Sequence, residues 1–392
     1  MVPENCSWEP SPVQTSLLRT ALASSADACP AWRDFVNQFP DTANDLARLD
    51  WGTRRLLPLV AWQLRTADLA EDLGVPQLRS HLAQSMLVTR RRTVDHRNVL
   101  SRLQEAGIET LVLKGVALGS MVYPDPGTRP SSDIDVLIRP RDYDRAMDLI
   151  ESDGMRTDYL QFDRAVIRRF RHSAGVELTG HAFDLHWRLL SERLDESIDA
   201  GLWDRSVVVN LAGAPVATLC PEDHLLHAVL HGMRSNQLSP VRWVADSAFI
   251  IRSSPIDWEL LTEQAGRRHV GGSLAAGLDY LRQNFDVNVS DVVLRRLRAS
   301  ESRLWTLTDR WSRDVHRPLA VKCLNSQFVS YGLATRGLPV GRRVSSYPDF
   351  VRFANVSRRI DGSASSTRST PADVAPSRTI GQSVTVGCDW LC

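Results

Sequence analysis

The sequence predicts an α+β fold, in which a small mixed β-sheet core is flanked by N-terminal and C-terminal helical segments. Two observations support this prediction. Short apolar runs that alternate with polar residues, as strands do, are concentrated in residues 108–190. Apolar residues spaced three and four apart, which is typical of amphipathic helices, fill residues 16–105 and 221–285.

The chain divides into six segments on this basis. Several prolines near the start and a tail rich in Gly, Ser, Thr, Ala and Pro leave little apolar surface to bury at either end. We predict a disordered N-terminus at 1–15, a helical region at 16–105, the sheet core at 106–200, a helical region at 201–320, an ambiguous segment at 321–360 and a disordered tail at 361–392.

Within these segments, individual elements follow from local patterns. Strands are predicted at 110–113, 134–138, 176–178 and 182–187, and helices at 86–103, 143–152, 223–231, 241–252 and 258–269. Asp142 is placed to cap the helix that starts at Tyr143. The order of these elements suits a small sheet covered by helices.

Three acidic residues lie on, or directly before, two of the predicted strands. Asp133 and Asp135 are two positions apart in an apolar run, so they leave the same face of a strand. Asp184 alternates with Phe183 and Leu185 on a later strand. If the two strands are neighbours, three carboxylates converge, and a divalent metal is the simplest group to neutralise them.

The same part of the chain offers partners for phosphate. Only two of the 47 basic residues are lysines, and one of them, Lys114, stands with Gly115 at the end of the first strand. A lysine retained in an arginine-rich chain indicates a need for a compact ammonium group, and glycine permits close approach of a substrate. Arg129 precedes Asp133 in a proline-rich loop. Ser132 either binds phosphate or turns the chain.

These motifs together resemble the uncharacterised nucleotidyltransferase family of the DNA polymerase β-like superfamily. The resemblance covers roughly residues 50–290 and rests on several separated motifs in the right order. The motifs are Leu113-Lys114-Gly115, Tyr123, Arg129, Asp133-Ile134-Asp135, Asp184-Leu185-His186-Trp187, Pro221-Glu222-Asp223 and Arg242-Trp243-Val244-Ala245-Asp246.

The resemblance implies a nucleotidyltransferase core that transfers a nucleoside monophosphate from an NTP, with ATP as a guess, to a hydroxyl acceptor and releases pyrophosphate. Two magnesium ions about 3.5–4 Å apart would be bridged by the carboxylates of Asp133 and Asp135. Asp184 would be a further metal ligand and a possible base. Lys114, Gly115, Arg129 and Ser132 would contact the nucleotide. The acceptor would be a small molecule, a peptide or a protein.

Charge and composition indicate which acceptors and which cellular location are expected. The net charge is +1, so the chain as a whole has no bulk attraction to nucleic acid, and long RNA is the least expected acceptor. The six cysteines show no zinc spacing, which favours a reducing cytoplasmic location. No apolar stretch is long enough for a signal peptide or a membrane span, so no membrane association is expected.

Several alternatives stay open at this stage. The chain could be a catalytically silent nucleotide-binding module that recruits a partner, or a helical interaction protein with a vestigial sheet. The arginine run Arg90-Arg91-Arg92 is either a solvated helix face or a platform for a polyphosphate or acidic acceptor. His224, His227 and His231 share one helical face, which could bind zinc. His231 could instead lie near the substrate. Arg242 and Asp246, four apart on a helix, could pair with each other. The resemblance implies the alternative that Asp246 packs beneath the active site.

Overall fold

The fold is described from a computed structural model. It describes residues 8–24, 26–65, 75–131, 133–153, 164–178, 181–190, 197–233, 241–300, 331–332, 335 and 339–351. The tail at 361–392, predicted to be disordered, lies outside the described residues, as does most of the ambiguous segment at 321–360.

Within the described residues, the helices that precede the sheet form the N-terminal helical region. They are α1 (Pro12–Leu22), α2 (Ala28–Gln38), α3 (Pro40–Asn44), α4 (Trp51–Arg54), α5 (Leu57–Gln63) and α6 (Val75–Glu105). Helix α6 has 31 residues and extends the helix predicted at 86–103 in both directions. It leads into the first strand of the sheet and therefore fixes where that strand begins.

The prediction of disorder at 1–15 is wrong for residues 8–15. Helix α1 starts at Pro12, and Ser11 and Gln14 form a reciprocal capping box at its N-terminus. The Trp8 ring packs against the rings of Trp243 and Tyr280, with centroids 5.9 and 5.5 Å away. The prolines suggested a flexible start, but a proline in the first turn of a helix lacks only an N–H that would have had no partner.

One mixed sheet forms the core of the chain. Its strands are β1 (Thr110–Leu113), β2 (Asp135–Ile138), β3 (Ser173–Leu178), β4 (His181–His186), β5 (Val207–Leu211) and β6 (Ala214–Thr218). They lie in the order β3-β4-β2-β1-β6-β5. Strands β1 and β2 are antiparallel, whereas β4 runs parallel to β2 and β6 runs parallel to β1. The predicted α+β class with a small mixed sheet is confirmed.

The remaining helices lie between the strands and after them. They are α7 (Lys114–Met121), α8 (Tyr143–Ser152), α9 (Arg164–Phe170), α10 (Pro221–Gly232), α11 (Arg242–Ser253), α12 (Trp258–Arg268), α13 (Gly271–Phe285) and α14 (Asp291–Ala299). Residues 340–351, in the segment left ambiguous, are also helical. The Phe350 ring packs edge-on against Phe170 at 5.3 Å, so this part of the segment contacts α9.

The sequence predicts a helical region at 201–320, but this region also contains two strands. Strands β5 and β6 form a hairpin whose register runs from the pair Val207–Thr218 to the pair Leu211–Ala214. Ala212 and Gly213 form its turn with φ of 47° and 87°, the left-handed conformation that two-residue hairpin turns require. Strand β6 joins β1, so the sheet core extends past its predicted end at residue 200.

The two faces of the sheet bury different residues. Leu111, Leu113 and Leu137 pack into a large core shared with α1, α5 and the C-terminal helices. Val112 and Val136 face a second core built with α6, α8, β3 and β4. Because side chains alternate along a strand, Asp135 points to the same face as Leu137, towards α10. Among the described helices, none combines the length and apolar character that crossing a membrane requires.

Candidate active site

The sheet register brings two of the predicted acids together. Asp135, the first residue of β2, lies directly opposite Asp184 of β4 in a parallel pair. Opposite residues on neighbouring strands project to the same face, so the two carboxylates are adjacent. The expectation that these strands are neighbours and that Asp135 and Asp184 share a face is confirmed.

An imidazole completes the group. His186 follows Asp184 by two positions and therefore shares its face, opposite Leu137. Asp135, Asp184 and His186 each present one ligand atom, and these atoms all lie within 4.8 Å of one another. His186 Nε2 is 3.3 Å from Asp135 Oδ1. His186 was not among the ligands predicted from the sequence, although its alternation with Asp184 already placed it on this face.

Positive charge from the protein stabilises the carboxylate at the centre of the group. Lys114 Nζ is 2.9 Å from Asp135 Oδ1, and both side chains are largely buried. Burial alone raises the pKa of Asp135, but Lys114 and His186 outweigh it and hold this pKa well below its usual value. The carboxylate is therefore ionised at neutral pH. The ammonium of Lys114 rests against an oxygen that could also coordinate a cation.

Asp133 is placed differently from its expected partners. It precedes β2 rather than lying within it, and it does not join the group formed by Asp135, Asp184 and His186. Ser131 Oγ lies 2.9 Å from the Asp133 carbonyl oxygen and 3.5 Å from its carboxylate. Its role as a metal ligand stays a prediction. Ser132 lies outside the described residues, and its predicted contact with nucleotide is untested.

Gly115 leaves room for side-chain atoms of Arg129 and Ser131, which lie close to its Cα. A Cβ at this position would lie 2.4 Å from Ser131 Oγ and 3.4 Å from Arg129 Nη1. The preceding Lys114 has φ of 38°, a left-handed backbone conformation that is uncommon outside glycine. The sequence suggested that glycine makes room for a substrate. The loop that carries Arg129 and Ser131 uses the room instead.

Arg129 is held by a buried ion pair. Its Nε and Nη2 donate to the two carboxylate oxygens of Asp246 in α11, at 2.7 and 2.6 Å. The hydroxyl of Tyr123 donates to the same carboxylate at 2.6 Å. Burial alone lowers the pKa of Arg129, but Asp246 outweighs it and raises the pKa above its usual value. The guanidinium fork predicted for phosphate thus holds a carboxylate, and Nη1 is its one nitrogen without a hydrogen-bond partner among the described residues.

The helical pair expected between Arg242 and Asp246 is not formed. Arg242 Nη1 instead donates to the carbonyl oxygen of Pro130. The Asp246 carboxylate is taken by Arg129, which comes from 117 positions away in the chain. Both contacts anchor the loop at 125–131 to α11, and this loop leads to the acidic group.

His227 of α10 is buried and is not one of the three residues of the acidic group. Its side chain is 1% exposed, and among the described residues neither ring nitrogen has a hydrogen-bond partner. Burial lowers the pKa of His227 well below its usual value, and Lys114, His231, His186 and Asp135 are the charged groups that act on it. A neutral imidazole therefore lies near the acids. The spacing of the three histidines predicted a shared face but not this position.

Two other buried histidines are expected to reduce stability in mild acid. Burial lowers the pKa of His96 and of His224 to about 4, against roughly 6.5 when exposed. Both are neutral in the folded protein, whereas the unfolded chain binds protons below about pH 6.5. The two rings therefore contribute fully to the free energy of unfolding above about pH 6.5. This contribution is lost as the pH falls towards 4, and the loss at pH 5 is roughly 2 kcal/mol for each ring.

Urea unfolding at pH 7 and pH 5 measures this effect. A His96→Gln variant should show a smaller decrease in the free energy of unfolding between the two pH values than the parent chain. An unchanged free energy of unfolding at pH 5 would contradict the neutral, buried state of these two rings.

The mixed sheet carries an acid on each of two adjacent strands, β2 and β4, and a lysine at the start of α7, the helix that follows β1. This is the arrangement expected of a nucleotidyltransferase core. The comparison with family models agrees. The chain belongs to the uncharacterised nucleotidyltransferase family, whose model matches residues 51–286. Membership of this family supports nucleotidyl transfer in general.

Comparisons with individual proteins add little detail. A solved structure, described as an antigenic nucleotidyltransferase-like protein from Paracoccidioides brasiliensis, is 16% identical in sequence to this chain. The match covers 56% of this chain and 94% of that one, with a TM-score of 0.33. The search of curated proteins finds no match.

Proposed function

We propose that this protein transfers a nucleoside monophosphate from an NTP to a hydroxyl acceptor, with release of pyrophosphate and dependence on a divalent metal. The observation that carries the proposal is the parallel pairing of Asp135 with Asp184, which gathers two carboxylates and the His186 imidazole within 4.8 Å. Membership of the nucleotidyltransferase family supports the reaction class.

The donor set fits a divalent cation. Carboxylates suit Mg²⁺ and Mn²⁺, and an imidazole nitrogen is a common additional ligand. Asp135, Asp184 and His186 would hold one ion, and Asp133 is the candidate to share a second. When bound, the metal would neutralise charge on the phosphates and favour loss of the acceptor's proton. Magnesium is the proposed ion.

Lys114 would act on the phosphates. Its ammonium pairs with Asp135 Oδ1 at 2.9 Å and would neutralise charge on a phosphate oxygen bound beside that carboxylate. Gly115 lets the loop with Arg129 approach the helix start, and Arg129 Nη1 is the nitrogen still able to reach a phosphate.

Asp184 and His227 would act on the acceptor. Asp184 is half-buried at the edge of the group and would accept the proton of the attacking hydroxyl. His227, neutral because burial lowers its pKa, would hydrogen-bond a reacting oxygen and so fill its missing partner. The proposed donor is ATP, and the acceptor a small molecule, peptide or protein. Free thiols at Cys29 and Cys220 support a cytoplasmic setting.

The test is a labelling experiment. Full-length protein with Mg²⁺ and each α-labelled NTP in turn is incubated alone, with small-molecule fractions and with protein fractions of a cell lysate. The expected result is label in one product and an equal amount of pyrophosphate. NTP binding without pyrophosphate release in any fraction would overturn the proposal and favour a silent nucleotide-binding module.

A further inference from the structure

The outer face of helix α6 carries large apolar side chains where polar ones are expected. In an amphipathic helix the face opposite the core is normally charged or polar. Leu87 is nevertheless 68% exposed and Val94 is 55% exposed. The two residues are seven positions apart, which is close to two helical turns, so they form an apolar line along the helix with about 10 Å between them.

This apolar line points away from the loop that leads to the acidic group. Ser85 and Arg92 of the same helix each donate a hydrogen bond of 2.6 Å to the loop at 125–131. Leu87 follows Ser85 by two positions, and Val94 follows Arg92 by two positions. Two positions turn a helical side chain by about 200°. The loop therefore lies on one side of α6 and the apolar line on the other.

Arginines flank the apolar line on both sides. Helical spacing places Arg91 on one side and Arg90 and Arg97 on the other, and all three are exposed. Asp95, the nearest acid in α6, is 34% exposed and lies 3.8 Å from His181. Three like charges along about 10 Å of helix are close enough for their potentials to add. Because the net charge of the whole chain is only +1, this positive charge is a local feature.

An apolar line between basic flanks suits a helix that carries acids beside its own apolar line. Apolar side chains seven positions apart pack against a second helix lying along the first, and the charges beside them select the partner. Two copies of α6 would repel each other, which disfavours a second copy of this chain. Leu87 and Val94 cannot stack on bases as aromatic side chains do, which disfavours nucleic acid. The wide apolar face of α6, with Val99 and Leu103, is packed into the second core, so it cannot enter a membrane surface.

We propose that the outer face of α6 binds an acidic amphipathic helix of a partner protein. The proposal goes beyond the transfer reaction and does not depend on it. It also explains the arginine run in α6, because Arg92 anchors the loop at 125–131 whereas Arg90 and Arg91 would pair with carboxylates of the partner. With Leu87 and Val94 at its centre, the interface is small and the complex transient.

The probe for this face is a fluorescent peptide of three heptads, with leucine at the a and d positions and glutamate at e and g. Repulsion between the glutamates keeps the peptide from pairing with itself. Its binding to the full chain is followed by fluorescence anisotropy in EDTA and without NTP. The chain should bind it saturably, and the affinity should fall about tenfold between about 0.05 M and 0.3 M salt. A peptide with lysine in place of each glutamate should not bind.

Variants of exposed residues decide the assignment. The double change Leu87→Ser with Val94→Ser should weaken binding of the acidic peptide at least about tenfold. Arg90→Gln with Arg91→Gln should also weaken it and should remove most of the salt dependence. Val292→Ser, at a valine of α14 that is 48% exposed, is the matched control and should bind as the parent does. Because the changed side chains are exposed, each variant should keep the urea midpoint of the parent chain.

Three results would overturn the proposal. They are no binding of the acidic peptide, equal binding of the lysine peptide, and equal affinity in the parent and the Leu87→Ser, Val94→Ser chain. Anionic vesicles, a single-stranded RNA and self-association of the chain are measured in parallel. Binding to one of these that the same double change abolishes, without binding of the acidic peptide, would assign the face to that occupant instead. Because neither metal nor NTP is present, these outcomes are independent of whether the transfer reaction occurs.

Discussion

Asp184→Asn is expected to lower nucleotidyl transfer by at least about a thousandfold. The change keeps the size of the side chain and removes the negative charge that we propose holds the metal and accepts the proton. Metal-assisted charge stabilisation contributes several kcal/mol to such reactions, and each 1.36 kcal/mol is tenfold in rate. The measurement is the rate of label transfer from the α-labelled NTP at saturating metal.

Asp184 is a better position for this test than Asp135. Asp135→Asn would leave the buried ammonium of Lys114 without its partner, so loss of activity could follow from loss of the fold. Asp184 is half-buried, and Asn matches its size and shape. Asp34→Asn, at an exposed position of α2, is the matched control and should keep the parent rate. A rate within tenfold of the parent in Asp184→Asn would contradict the proposed role.

Asp246→Asn is expected to reduce the free energy of unfolding by about 3–5 kcal/mol. The substitution leaves the Arg129 guanidinium buried without a counter-charge, and breaking a buried pair on one side is strongly destabilising. The side chains of Arg129 and Asp246 are only 4% and 7% exposed. Urea unfolding at neutral pH measures the change.

Two controls separate burial from charge pairing. Asp148→Asn breaks a surface ion pair in which Arg164 Nη1 lies 2.6 Å from Asp148 Oδ1. The Asp148 side chain is 71% exposed. It should change stability by less than about 1 kcal/mol. The double change Arg129→Met with Asp246→Leu removes both charges and should destabilise less than Asp246→Asn alone. Similar effects for the buried and surface pairs would contradict this account of the anchor.

Much of the sheet core could be predicted because its signals are local. Strand β1 and helix α8 have the predicted bounds, since alternation and helical spacing are each complete within a few residues. The hairpin β5–β6 was missed, although Val207-Val208-Val209 is rich in β-branched residues and Ala212-Gly213 offers a turn. Its place in the sheet depends on pairing with β1, about a hundred residues earlier, which no local pattern encodes.

The site could be predicted only in part for the same reason. Asp135 and Asp184 follow from strand alternation, and their adjacency required one assumption about neighbouring strands. The pairing of Arg129 with Asp246 spans 117 positions and depends on how α11 packs against the loop at 125–131. The position of His227 similarly depends on how α10 lies over the sheet. Residues that tertiary packing brings in are therefore the ones that the sequence left undecided.

The most direct test of the central claim is a titration of Mn²⁺ into the full chain, with bound metal followed by electron paramagnetic resonance. The parent chain and Asp34→Asn should bind Mn²⁺ saturably, and Asp184→Asn should bind it at least about a hundredfold more weakly. Equal affinity and stoichiometry in the parent and Asp184→Asn would show that Asp135, Asp184 and His186 do not form the metal site.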